Sequence, residues 1–125
     1  MRGQAAPGLP FVFPWNGARP MQPDPPSTAP VGVWASVEVW IAGRVQGVGF
    51  RYFTLEVARR LRLAGYVTNT RDGRVRAYAE GPRESLSQFL HLLQQGPSVA
   101  RVREVRTTWG GATGTYTTFS IQSTL

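Results

Sequence analysis

Within the first half of its ordered-looking region the chain changes hydrophobic period, and that change constrains the fold more than any other feature. Val37, Val39 and Ile41 alternate as one face of a strand, whereas Phe53, Val57, Leu61 and Ala64 recur at helical spacing. The switch takes place across nine residues, Gly43-Arg-Val-Gln-Gly-Val-Gly-Phe-Arg51. A strand must therefore turn through a glycine-containing loop straight into a helix. Gly47 and Gly49 let the backbone of such a loop curl until successive N–H groups point into one concavity. The helix that follows adds the positive end of its dipole, and Arg51 adds a guanidinium fork at the rim. A positive side chain at a helix start opposes the dipole, a misfit that a bound anion relieves. The loop is built to hold an oxyanion, and phosphate fits it best.

The remaining periodicities complete an alternating pattern. Val37–Ala42 reads as a strand, and Gly65 stands where a C-terminal glycine would end the first helix. Tyr66–Asn69 and Arg74–Glu80 read as two strands around Arg71-Asp-Gly73, Asp-Gly being a strong hairpin signal. Pro82 suits the first position of a second helix, whose stripe is Leu86, Phe89, Leu90 and Leu93 and which ends at Gly96-Pro97. Val105, Thr107 and Trp109 alternate as a fourth strand, Gly110–Gly114 reads as a flexible loop, and Thr117–Gln122 as a last strand. The expected fold class is α+β: a ferredoxin-like α/β sandwich, βαββαβ plus a C-terminal strand, with two helices on one face of an antiparallel sheet.

Composition narrows the chemistry. The 125 residues suffice for one domain with a tail to spare. Eight of the ten prolines fall in residues 1–30, which show no periodicity, so residues 1–33 are expected to be a disordered extension and 34–125 the folded domain. That extension reads either as a genuine tail or as a misassigned start, with the natural chain beginning near Met21 or Val31. Phe11-Val-Phe13 is too short for a signal-peptide core and no stretch approaches a membrane span, so a cytoplasmic protein without membrane contact is expected. There is no cysteine and no lysine, all 14 basic residues being arginine, and His91 is the single histidine. Thiolate nucleophiles, Schiff-base lysines and multi-histidine metal sites are thereby excluded. His91 lies on a helix-like segment and reads as a surface residue. The net charge of +7 favours anionic partners without saying which.

The glycine loop ending in Phe50-Arg51, with Gly65-Tyr-Val-Thr-Asn69 and Asp72-Gly-Arg-Val75 behind it, strongly resembles the acylphosphatase family. The resemblance runs from about residue 36 to residue 122. Ala79-Glu-Gly-Pro82 and Ala100-Arg-Val102 match it as well, whereas Pro97-Ser-Val99 stands where Pro-Pro-Gly is usual, and the tail has no counterpart. The resemblance implies hydrolysis of acyl phosphates to a carboxylate and inorganic phosphate, with no metal, no cofactor and no covalent intermediate. It implies that Arg51 binds the phosphoryl oxygens and that the backbone N–H groups of Gln46, Gly47, Val48, Gly49, Phe50 and Arg51 line the cradle. It further implies that Asn69 orients the attacking water. The partners to expect are a small acyl phosphate, inorganic phosphate as product and competitive inhibitor, no nucleic acid, and a monomeric state.

Elementary chemistry agrees with that expectation. Phosphoryl transfer asks for positioning and for charge stabilisation on the equatorial oxygens. A carboxylate leaving group, whose conjugate acid has a pKa of about 4, departs without a proton donor. A site lacking His, Lys and Cys can therefore still work. Plainer readings exist for each residue: Asn69 as a turn residue, Asp72-Gly73 as structure, Arg59, Arg60 and Arg62 as a solvated helix face. Arg74, Arg76 and Tyr78 read as a wet sheet face, Trp40 and Trp109 as packing, and Glu56 as a surface partner of Arg59 or Arg60. Two other functions are open to this fold. One is a catalytically silent anion-binding or regulatory domain. The other is an RNA-binding module, against which the aromatics Phe50, Tyr52 and Phe53 cluster after the glycine loop rather than on central strands.

Overall fold

A computed structural model describes residues 34–124. The expected extension, residues 1–33, lies outside the described residues. Strand β1 (Trp34–Arg44) leads through the glycine loop to helix α1 (Phe50–Arg60). Strands β2 (Ala64–Asn69) and β3 (Val75–Pro82) follow, then helix α2 (Arg83–Gln95), strand β4 (Arg101–Gly111) and the short strand β5 (Phe119–Ile121). The sheet order is β4-β1-β3-β2-β5. The first four strands pair antiparallel, as expected, while β5 joins β2 in parallel, so the five-stranded sheet is mixed.

Alternation within the strands explains the two layers. Val37, Val39 and Ile41 of β1, Val67 of β2, and Val75, Ala77 and Ala79 of β3 are all completely buried. They form one core with Phe50, Val57 and Ala58 of α1, with Leu86, Phe89 and Leu93 of α2, and with Phe119 of β5. Burying a large aliphatic or aromatic side chain in this way contributes about 1.5–3 kcal/mol each. The opposite residues of the same strands, among them Trp40, Tyr66, Arg76 and Tyr78, occupy the helix-free face.

Two chain reversals differ from expectation. Gly65 lies inside β2, and α1 ends at Arg60, with Leu61 as its C-cap. The N–H of Arg62 donates to the Arg59 carbonyl at 3.1 Å and that of Leu63 to the Ala58 carbonyl at 2.9 Å. This is the two-bond helix terminator that normally places glycine in the left-handed position, yet here Arg62 occupies it at φ 58°. Gly65 is required for another reason. Its φ is 146°, and a Cβ there would stand 1.9 Å from the Tyr78 carbonyl oxygen on β3. We therefore expect Arg62→Gly to stabilise the fold by about 1 kcal/mol, read as a raised urea midpoint. An unchanged or lowered midpoint would show that the Arg62 side chain compensates its own backbone strain.

Pro82 closes β3 as an extended residue at ψ 143° and is the N-cap of α2, so the first helical residue is Arg83 and not Pro82 as expected. Gly110 and Gly111 belong to β4, paired with Ser36 and Ala35. The chain beyond them is tied down as well. Glu80 is fully buried on the helix-free face and accepts hydrogen bonds from the Thr113 N–H at 2.9 Å, the Thr113 hydroxyl at 2.7 Å and the Gly114 N–H at 3.0 Å. The Tyr78 hydroxyl donates to it too. The segment expected to be a flexible loop is held by one carboxylate.

Candidate active site

The loop between β1 and α1 has the backbone that its glycines foretold. Gly47 at φ 73° and Gly49 at φ 80° are both left-handed, and neither would bring a Cβ within 4 Å of another atom, so both line open space. Phe50 and Val45 on either side are buried in the core and hold the loop by its ends. Val48 packs more loosely against the same core. From Gln46 to Tyr52 no backbone N–H makes a hydrogen bond of good geometry to a carbonyl among the described residues; the first to do so is Phe53, to Gly49 at 3.0 Å. Gly49 offers α1 no side-chain cap, and the first helical turn carries no carboxylate. A run of donors and the positive helix end thus remain without a negative partner, which is the electrostatic requirement for an anion site.

Arg51 stands in that first turn, partly buried. Among the described residues its guanidinium forms no ion pair; the four pairs are Arg60–Glu56, Arg74–Asp72, Arg76–Glu38 and Arg106–Glu104. The first of these is the surface pair expected of Glu56, and its 3.1 Å spacing joins two well-exposed side chains.

Asn69 ends β2 directly opposite the buried Val75, so it points to the helix-covered side of the sheet. Its Oδ1 is buried and has no hydrogen-bond partner. A buried amide oxygen without a donor costs about 1–3 kcal/mol, which makes the group conspicuous unless something else donates to it. The side chain of Gln46 brings the glycine loop to this same end of the sheet. Its Nε2 donates to the Thr70 carbonyl at 2.7 Å and to the Arg74 carbonyl at 2.9 Å, the two sides of the β2–β3 turn. The sequence had supplied Gln46 only as a backbone donor; its side chain spans the site.

The turn is itself braced. The Thr70 hydroxyl and the Arg74 guanidinium both donate to Asp72, and these bonds, Arg74 first, hold the Asp72 carboxyl below the usual carboxylate range. Asp72 is thereby committed to structure, the plainer of its two readings. Arg74 and Arg76 lie on the helix-free face, their guanidinium carbons 4.3 and 5.1 Å from the centre of the Trp40 ring.

Comparison with known proteins decides the family. A sequence model of acylphosphatases matches residues 37–121 of this chain. The chain belongs to the acylphosphatase family. An acylphosphatase of Thermus thermophilus is 53% identical over 74 residues, which cover 59% of this chain and 84% of that protein. Among solved structures, an acylphosphatase from Bacillus subtilis superposes with a TM-score of 0.69 at 38% identity, covering 70% of this chain and 98% of that one. The full-length HypF structure, in a phosphate- and nucleotide-bound form, matches with a TM-score of 0.68 at 27% identity, covering 76% of this chain but only 13% of that one. This acylphosphatase-family chain therefore shares its ferredoxin-like layers with both small proteins and one part of a much larger one.

Proposed function

We propose that this chain hydrolyses the carboxyl–phosphate bond of acyl phosphates by in-line attack of a water held by Asn69. The observation that carries the reading is the juxtaposition at one end of the sheet of two unmet needs. The loop amides and Arg51 lack an anion, and the buried Asn69 Oδ1 lacks a donor. A phosphoryl group in the cradle satisfies the first. A water donating to Asn69 Oδ1 satisfies the second and places its lone pair toward phosphorus. Charge developing on the equatorial oxygens is met by N–H groups and a guanidinium already oriented, so little reorganisation accompanies the reaction. The carboxylate departs unaided, and inorganic phosphate, retaining the same contacts, should compete with substrate. The site's chemistry fits a small-molecule substrate.

The test is hydrolysis of benzoyl phosphate by the wild type and by Asn69→Ala. We expect turnover by the wild type and a loss on the order of 10²–10³ in kcat for the variant, with inorganic phosphate still bound. Undiminished turnover by Asn69→Ala would remove the water-orienting role.

A silent anion-binding domain is the competing reading, and the match to one part of HypF is the observation in its favour. A wild type that binds phosphate and leaves benzoyl phosphate intact would support it. The RNA-binding alternative meets a different obstacle from the one the sequence suggested. Trp40 and Tyr78 do stand on central strands and on the helix-free face. Their rings are already engaged, Trp40 by Arg74 and Arg76, and Tyr78 by Tyr66 and Tyr116 at 5.9 and 5.6 Å. The arginines there are themselves paired with Asp72 and Glu38.

A further inference from the structure

We infer that the side chain of Gln46 is a positioning residue, a clamp that sets the distance between the phosphate cradle and the water held by Asn69. The inference rests on the proposed hydrolysis, and adds to it a residue that acts through another. The cradle and Asn69 belong to different parts of the chain, the loop after β1 and the end of β2. Both of the Gln46 Nε2 hydrogens are used across the gap between them, at 2.7 Å to the carbonyl of Thr70 and 2.9 Å to that of Arg74. Thr70 is the residue that follows Asn69, so the clamp closes within one peptide unit of the water-holding amide. Both partners are carbonyl oxygens, so only the nitrogen end of the amide can face them and its orientation is chemically forced.

The clamp is dispensable for the turn that it grips. The Thr70 carbonyl also accepts from the Gly73 N–H at 3.1 Å. The Arg74 carbonyl also accepts from the Thr70 N–H at 2.8 Å and the Thr70 hydroxyl at 3.1 Å. Removing the Gln46 donors therefore leaves neither carbonyl without a partner, and the fold should be nearly unaffected. What is lost is the fixed relation of the loop to Asn69. A misplacement of about 1 Å between reacting groups is enough to cost on the order of 10²-fold in rate.

Gln46→Met keeps the length and bulk of the side chain and deletes its donors. The experiment measures kcat and KM for benzoyl phosphate, the inhibition constant of inorganic phosphate and the thermal midpoint. It uses the wild type, Gln46→Met, Asn69→Ala and the double variant. For Gln46→Met we expect kcat to fall roughly 10- to 100-fold, phosphate inhibition to change by less than about threefold, and the midpoint to move by only a few degrees. In the Asn69→Ala background the same change should lower kcat by no more than about threefold, because the partner through which Gln46 acts is gone. Gln46→Glu, which turns a carboxylate toward two carbonyls, should lose at least as much rate as the Met variant. A wild-type kcat for Gln46→Met overturns the clamp. So does a kcat loss that multiplies fully with that of Asn69→Ala, or phosphate inhibition that weakens in step with kcat, since each means that Gln46 shapes the cradle alone. Failure of the hydrolysis reading is visible separately, as an Asn69→Ala variant that turns over like the wild type.

Discussion

Replacing Arg51 by alanine should abolish nearly all turnover and leave the protein slightly more stable. Arg51 has no ion-pair partner among the described residues and sits in the first turn of α1, where a positive charge works against the helix dipole. Its removal should thus raise stability by about 0.3–1 kcal/mol at low ionic strength. An arginine that stabilises charge in phosphoryl transfer contributes on the order of 10³ or more in rate. A large loss of activity beside a small gain in stability is the signature of a residue held for chemistry against the interest of the fold. Arg51→Lys keeps the charge and loses the planar fork, so we expect it to remain impaired by about 10². Benzoyl phosphate turnover and a urea titration of the three proteins check both halves. Added inorganic phosphate should raise the thermal midpoint of the wild type and leave that of Arg51→Ala nearly unmoved. An Arg51→Lys enzyme with the wild-type rate would show that a point charge suffices.

The second large effect concerns stability in acid. Burial pushes the Glu80 carboxyl up, and the hydrogen bonds from Tyr78, Thr113 and Gly114 together outweigh it, bringing the pKa down to about 2 from an ordinary value of 4.5. A carboxylate whose folded pKa is depressed binds its proton more readily in the unfolded chain. Its contribution is complete above the ordinary value and is lost as the pH falls from about 4.5 toward about 2. Glu80→Gln offers one oxygen to four donors and turns an amide N–H₂ toward them. We expect it to cost about 2–3 kcal/mol at neutral pH, on the scale of hydrogen bonds to a charged group left unmade. By pH 3 the gap should have narrowed by roughly half, and the two proteins should converge only near pH 2. Urea midpoints at pH 7 and pH 3 check this, and equal midpoints at pH 7, or a gap that persists unchanged at pH 3, would count against the assignment.

What the sequence disclosed follows a physical pattern. The glycine loop, Arg51 and the start of α1 were legible because their geometry is local: two glycines, a period change and a charge misfit all lie within nine residues. Asn69 was legible only through the family's text, since an Asn at a strand end has many uses. The Gln46 clamp could not be read, because its acceptors are backbone carbonyls and any residue carries one. Glu80 was hidden for a related reason: three of its four donors, the Thr113 hydroxyl and the N–H groups of Thr113 and Gly114, lie more than 30 residues away. In the sequence Gly65 suggests a helix terminator because glycine usually is one. In the fold Arg62 tolerates the left-handed backbone, and Gly65 is reserved for a close approach of β2 to β3.

The parallel strand β5 has a consequence for the order in which the molecule can be completed. Gln122 N–H donates to the Val67 carbonyl at 2.9 Å, and the Thr68 hydroxyl to the Ser123 carbonyl at 2.8 Å, so the strand that ends in Asn69 is sealed by residues more than 50 positions later. During synthesis β2 can pair with β3 as soon as both have emerged, but its other edge stays open until the rest of the domain has followed. A nascent chain stopped before Phe119 would present that edge, and with it the strand that ends in Asn69, to any neighbour able to add a strand. Activity and protection from aggregation should therefore be acquired together, at the last step of folding.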